Sequence, residues 1–330
     1  MSDDSTPRRI VKAWVKGEPP SRPLLMPILF SLGARMENLT LRNFQSNPTK
    51  VANAQRQIRS VMQVDGLVCY FDPALESNAL GPRQADGSWA TPDSLRDKGF
   101  IPVACEVLRR TKAMLKDEPA LMIRVSGPIG LARQLCGGDP GSWTSGFPEE
   151  VLQFAAEVTA SVARTFAEAG ADVILLAEDF ADGLPFGGFE AYSSLLAPVV
   201  NIVRFYEALP VLLLGKVLEK TLDSVKANIE DCVLCPTWTA QLGAVNLEAH
   251  GQPGWMAYAV PIEAFCQDPP HFEPLLSSEG EPKVCLLTST EDVAMGLDLK
   301  QLAEGLKRLR RYFSSPPDRG QGLPHPGGRD

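Results

Sequence analysis

Asp72 stands where an acid can do chemistry. It ends the apolar run Gly66–Phe71 (GLVCYF) and is followed at once by Pro73. A short buried strand that delivers one carboxylate to its carboxyl end is how parallel α/β sheets present reactive groups to a ligand. A second reading is local: an Asp after a strand often caps the next turn, here the one entering Ala74–Leu80. Other polar residues follow other apolar runs in the same way. Ser31 and Arg35 follow the first run, Glu76 follows Asp72, and Ser126 follows the third. Glu178, Asp179 and Asp182 come next, then Lys216, then Thr237 and Trp238. Tyr258 and Glu263, then Ser289 through Asp292, complete the set. Acids dominate it, with Arg35 and Lys216 as counter-charges. Crowded carboxylates can keep one member protonated near neutrality and turn it into a proton donor. Asp179, Asp182 and Asp292 equally fit helix N-caps after their strands.

The other chemistry-bearing residues offer less. His250 falls in a turn, His271 in the segment DPPHFEP and His325 in the Pro/Gly-rich tail, all read as surface positions. Proton transfer would therefore rest on carboxylates or solvent. Cys232-x-x-Cys235 has metal or redox spacing, but in a strand residues three apart point to opposite faces. Both are read as structural cysteines, no metal site is expected, and no cofactor is assigned. No phosphate-binding glycine motif occurs.

These residues need elements to hold them. Strands are expected at Leu24–Phe30, Gly66–Phe71, Leu121–Val125, Asp172–Ala177, Pro210–Leu214, Cys232–Cys235, Trp255–Val260 and Lys283–Thr288. Helical patterns lie between them: Arg8–Gly17, Pro48–Val64 with Asn47 as cap, Ile101–Lys116, Glu149–Ala169, Glu190–Ala208, Val217–Asn228, Thr239–Ala249 and Asp298–Phe313. Ser126–Gly130 and Pro261–Phe265 read as loops. Eight strands alternating with helices over this length predict an α/β fold of one domain, a single (β/α)8 TIM barrel over residues 10–313. Residues 1–9 and 314–330 are expected to be disordered. The active site of such a barrel forms at the carboxyl ends of its strands, where the residues above fall.

Composition narrows the function. The chain has 330 residues, 44% hydrophobic and 22% charged, with a formal net charge of −8. No basic stripe stands out apart from Lys307–Arg311, so nucleic-acid binding is not expected. No apolar run is long enough for a membrane helix, and MSDDSTPRRI is not a secretory signal. Seven scattered cysteines suit a reducing cytoplasm.

Several segments carry a family likeness: GEPPSRPLLMPILFSLGAR, LRNFQSNPTKVANA, VDGLVCYFDPALESNALG, GADVILLAEDFAD, DCVLCPTWT and LTSTEDVAMGLDLKQLAEGLKRLRRYF. On these the chain resembles the uroporphyrinogen decarboxylase superfamily, over most of residues 8–313. That superfamily also holds zinc-dependent, corrinoid-linked methyltransferases. The resemblance implies a (β/α)8 barrel and metal-independent decarboxylation of a tetrapyrrole or related carboxylate, a carbon–carbon lyase reaction. It also implies a small-molecule substrate and a homodimer. Asp72 falls on the family's catalytic aspartate, which holds pyrrole N–H groups and steadies a cationic intermediate. Arg35 falls on the second arginine of the strand-one motif and is expected to orient a substrate carboxylate. Ser31 replaces the first arginine, Leu135 stands near the expected tyrosine, and Ser289-Thr290 stand where a histidine is expected. Ser31, Glu76, Ser126, Glu178, Asp179, Trp238, Tyr258 and Ser289 are the expected substrate-binding residues. In the methyltransferase branch, strand five carries zinc ligands where Leu212 and Leu214 stand here. The alternatives are a methyltransferase-like protein without the zinc site, or a non-catalytic barrel that acts as a binding subunit.

Overall fold

The computed structural model describes residues 6–18, 20–116, 118–137, 147–178, 188–215, 224–225, 227–229, 231–237, 256–267, 284–294 and 296–314. The apolar runs form eight parallel strands among these residues: β1 (Leu24–Leu25), β2 (Gly66–Val68), β3 (Ala120–Ser126), β4 (Val173–Glu178), β5 (Leu209–Leu214), β6 (Val233–Pro236), β7 (Met256–Val260) and β8 (Val284–Ser289). Strands β2 to β6 pair in sequence order, and β1, β8 and β7 form the other arc. Backbone contacts join the arcs at both seams. Thr237 bridges to Ala259, and Asp65 donates its N–H to the Leu25 carbonyl at 2.9 Å. The Asp65 carboxylate fastens the same seam by accepting the Leu25 N–H at 3.0 Å and pairing with Arg22 at 2.8 Å. The architecture is a (β/α)8 barrel.

Side chains alternate along each strand between the barrel interior and the helices outside it. Leu24, Val68, Met122, Leu175, Val211, Cys235 and Ala257 meet in the interior cluster. Leu121, Ile123, Val125, Ile174, Leu176, Leu212 and Leu214 face the outer helices. The amino end of the barrel is plugged by α1 (Pro7–Val15), whose Ile10, Val11 and Trp14 join the interior cluster. Arg8 on α1 pairs with the buried Asp172 at 2.8 Å, and that carboxylate also accepts the Leu121 N–H at 2.9 Å. No helix among the described residues is long and apolar enough to cross a membrane.

Several boundaries differ from expectation. The helix α1 begins at Pro7, inside the stretch read as disordered. Paired strand β1 spans only two residues, because the chain turns into a helix, α2 (Phe30–Met36), so Ser31 and Arg35 lie on a helix. Beyond the short helix α3 (Leu41–Gln45), α4 (Pro48–Met62) begins as expected, with the Asn47 side chain accepting the Lys50 N–H. The short helix α5 (Leu75–Leu80) follows β2, and α6 (Ile101–Leu115) precedes β3. The segment read as a loop after β3 is the start of α7 (Pro128–Cys136). The long α8 (Glu149–Ala169) precedes β4, and α9 (Gly188–Phe205) carries Pro198 inside it. Pro261–Phe265 overlaps a 3-10 turn, Ile262–Cys266, before α10 (Leu299–Ser314) ends the described chain. The expected helix Thr239–Ala249, most of Val217–Asn228 and the expected tail from residue 315 lie outside the described residues.

Candidate active site

The backbone that presents Asp72 is held from three sides. Cys69 donates its N–H to Met122 at 2.8 Å, which continues the β2–β3 ladder past the strand. Gln55 on α4 donates to the Val68 carbonyl at 3.0 Å, and Gln45 on α3 donates to the Phe71 carbonyl at 3.2 Å. The Tyr70 ring sits 5.2 Å from that of Phe30 and donates its hydroxyl to the Gln45 carbonyl at 3.2 Å. Gln45→Leu removes the donor from Phe71 and is expected to cost about 1–2 kcal/mol. A urea midpoint lowered at unchanged slope would show it.

Asp72 is half-buried. Its Oδ1 accepts the Ala74 N–H at 2.9 Å, so the residue does cap its turn. Oδ2 has no hydrogen-bond donor among the described residues. The two sequence readings of Asp72 are compatible.

Glu76, on α5, is fully buried beside it. It takes the Ser126 N–H on Oε1 at 3.0 Å and the Ser126 hydroxyl on Oε2 at 2.9 Å. Burial raises its pKa, opposed first by the positive Arg124 and then by hydrogen bonds that include those from Ser126. Gln134 on α7 ties this pair to the Asp72 turn by donating to Pro73 O at 3.0 Å. Glu178 closes the far side of α7. It accepts the N–H groups of Ile129 at 3.0 Å and Gly130 at 2.7 Å, and the Tyr192 hydroxyl at 2.8 Å. Its carboxyl group packs so closely on Gly127 that a Cβ there would collide with it. Burial pushes the Glu178 carboxyl up to about 7, against the pull of those donors.

One cation of this cluster was missed from the sequence. Arg124 shares its strand face with Met122 of the barrel interior and lies one step below Ser126. Glu76, Asp72 and Glu178 all raise its pKa, while burial lowers it more strongly. Its signal in the sequence is a single charge inside the run ALMIRVS, where a buried strand should have none.

The β1 and β8 residues form a separate group. Ser31 donates its N–H at 2.8 Å and its hydroxyl at 2.5 Å to Asp292 Oδ2, whose pKa burial raises. Arg35 reaches the Ala294 carbonyl at 3.5 Å and is not brought into hydrogen-bond contact with Asp72. Ser289 accepts the Ile28 N–H at 2.8 Å and donates to the Glu291 carbonyl at 2.7 Å, so its hydroxyl serves the β1–β8 junction. Tyr258 points outward from β7 into the apolar layer with Leu287 and Leu306, away from the barrel interior. Asp179, Asp182, Lys216 and Trp238 lie outside the described residues, as do all three histidines.

The positions that resemblance associates with zinc do not fit that ion. Leu212 and Leu214 face the outer helices, and their interior neighbours Val211 and Leu213 carry no donor atom either. Cys235 faces the interior while Cys232 packs outside with its thiol near the Pro210 carbonyl, so the pair points apart. No group of three His, Cys, Asp or Glu residues able to hold a metal occurs among the described residues.

Comparison with known proteins agrees with this architecture. The family profile described as uroporphyrinogen decarboxylase (URO-D) matches residues 6–216. A methyltransferase from Methanosarcina mazei superposes with a TM-score of 0.66 at 16% identity, covering 94% of this chain and 100% of the other. The apo homocysteine methyltransferase MmuM from Escherichia coli gives a TM-score of 0.46 at 9% identity, covering 88% and 96%. The first likeness is one of fold alone, and the second carries no argument. No curated protein sequence matches the chain.

Proposed function

Because the chain belongs to the uroporphyrinogen decarboxylase family, we propose that it is an enzyme that decarboxylates a pyrrole or related carboxylate at the barrel mouth between β2 and β3. The observation that carries this reading is Asp72, a half-buried acid at a strand end whose Oδ2 meets no donor among the described residues. An N–H on the substrate ring can donate to that oxygen. When the ring carbon bearing the carboxylate takes up a proton from solvent, positive charge spreads to the nitrogen, and a fixed carboxylate beside it stabilises the cation. The carbon–carboxylate bond then breaks, its electron pair returns to the ring and CO2 leaves. Arg35, half-buried and donating to Ala294 O, is a second cation that can attract or orient an anionic substrate. A rim rich in acids disfavours a heavily carboxylated ligand, so a substrate with few carboxylates is the better fit.

The test is CO2 release by purified protein from uroporphyrinogen and from pyrrole-2-carboxylate. Release from at least one, lost in Asp72→Asn, is expected. Release from neither removes the decarboxylase reading and leaves methyl transfer or simple binding for the same barrel.

A further inference from the structure

Among the described residues, the guanidinium of Arg124 makes no ion pair and lies over the Phe71 ring. Its Nη1 is sealed from solvent and makes no hydrogen bond. No carboxylate of the cluster reaches it at ion-pair distance. Each nearby acid is engaged elsewhere: Glu76 by the two Ser126 donors, Glu178 by Ile129, Gly130 and Tyr192, and Asp72 Oδ1 by Ala74. The three raise the Arg124 pKa across space but do not satisfy its N–H groups. Buried charges without hydrogen bonds are costly, and those that persist are usually explained by a ligand or by function.

The surroundings say what would satisfy it. The guanidinium lies 5.7 Å from the centre of the Phe71 ring, so an apolar aromatic wall stands beside the orphaned fork. Arg124 shares the interior-facing side of β3 with Met122, on the strand next to β2, which leads to Asp72. A planar fork of N–H donors matches a carboxylate with two parallel hydrogen bonds. Asp72 Oδ2, in contrast, can only accept.

We propose that Arg124 is the specificity-determining residue of the site, and that it selects a ligand carrying a carboxylate next to an N–H donor. The carboxylate is held by Arg124 and the N–H by Asp72 Oδ2. This rests on the barrel mouth being the substrate site, as argued above, and adds a cation that the family likeness did not point to. The arrangement orients the ligand with its carboxylate inward, towards the apolar interior, where water is scarce.

The test is equilibrium binding, separate from turnover. Pyrrole-2-carboxylate and its methyl ester are titrated calorimetrically into wild-type protein, Arg124→Met, Arg124→Lys and Asp72→Asn. Wild type is expected to bind the carboxylate about tenfold or more tightly than the ester, the effect of one or two charge-assisted hydrogen bonds. Arg124→Met is expected to erase that preference, Arg124→Lys to retain part of it, and Asp72→Asn to weaken both ligands while keeping the ratio. An unchanged carboxylate-to-ester ratio in Arg124→Met overturns the proposal, as does failure of wild type to bind the carboxylate saturably. Selective binding without CO2 release would leave Arg124 assigned and overturn only the decarboxylase reading.

Discussion

Asp72→Asn is expected to lower kcat/KM for CO2 release by about 10²–10³-fold, the cost of losing one preorganised charge at a transition state. The substitution is chosen for what it keeps. Asn retains an Oδ1 that accepts the Ala74 N–H, so the turn into α5 stays closed. Shape and hydrogen bonding to the turn are preserved, and only the negative charge is lost. Asp72→Ala loses both and adds a cost of about 1 kcal/mol from the vacated cap. The pair therefore separates chemistry from folding. Equal melting of Asn and wild type with a large loss of rate places Asp72 in the reaction. If Asn retains full rate while Ala loses stability, the acid only caps its turn, and the site must be sought elsewhere. A loss of kcat/KM that comes wholly from a raised KM would mean that Asp72 binds the substrate equally in ground and transition states.

The scaffold of this site was more legible in the sequence than its wiring. Period and punctuation located all eight strands, because runs such as DVILLA are buried on both faces. Asn47 announced α4 because its cap is local, three residues from the N–H it accepts. The helices α2 and α7 were not seen, for different physical reasons. α2 starts at Leu29 without a side-chain cap, directly from an apolar stretch that reads as strand. α7 is anchored by Glu178, a residue 49 positions away from Ile129, so its start is settled by tertiary contact. Strand ends were sound guides to Asp72 but poor ones to Tyr258, whose side of β7 depends on register with β8 and its irregularity at Met256/Ala257. Arg124 sits within β3 rather than after it, so strand ends do not point to it. An interior charge in a buried run was the available signal.

Glu178 carries the largest expected effect on stability. Glu178→Ala leaves two backbone N–H groups of α7 and the buried Tyr192 hydroxyl without their acceptor. At about 1–3 kcal/mol for each unsatisfied donor, the loss is at least roughly 3 kcal/mol, and α7 should lose amide-exchange protection before the rest of the barrel. Glu178→Gln shows how protonation enters. Burial holds the folded-state pKa of Glu178 at about 7, above its ordinary 4.5. Between these values the folded protein binds the proton and the unfolded chain does not, so stability falls as pH rises through the window. The stabilisation from this group is complete below 4.5 and lost by about 7, a change of about 3 kcal/mol for the full shift. Gln does not titrate, so subtracting its stability from that of wild type cancels the other buried acids. The difference is expected to favour wild type most at low pH and to shrink steadily up to neutrality. Urea unfolding of both proteins from about pH 4 to pH 8 measures it. A difference that stays flat would mean that the three donors to Glu178 balance its burial and leave its folded pKa at the ordinary value. A growing wild-type advantage would mean that they over-stabilise the carboxylate and that its folded pKa lies below the ordinary value.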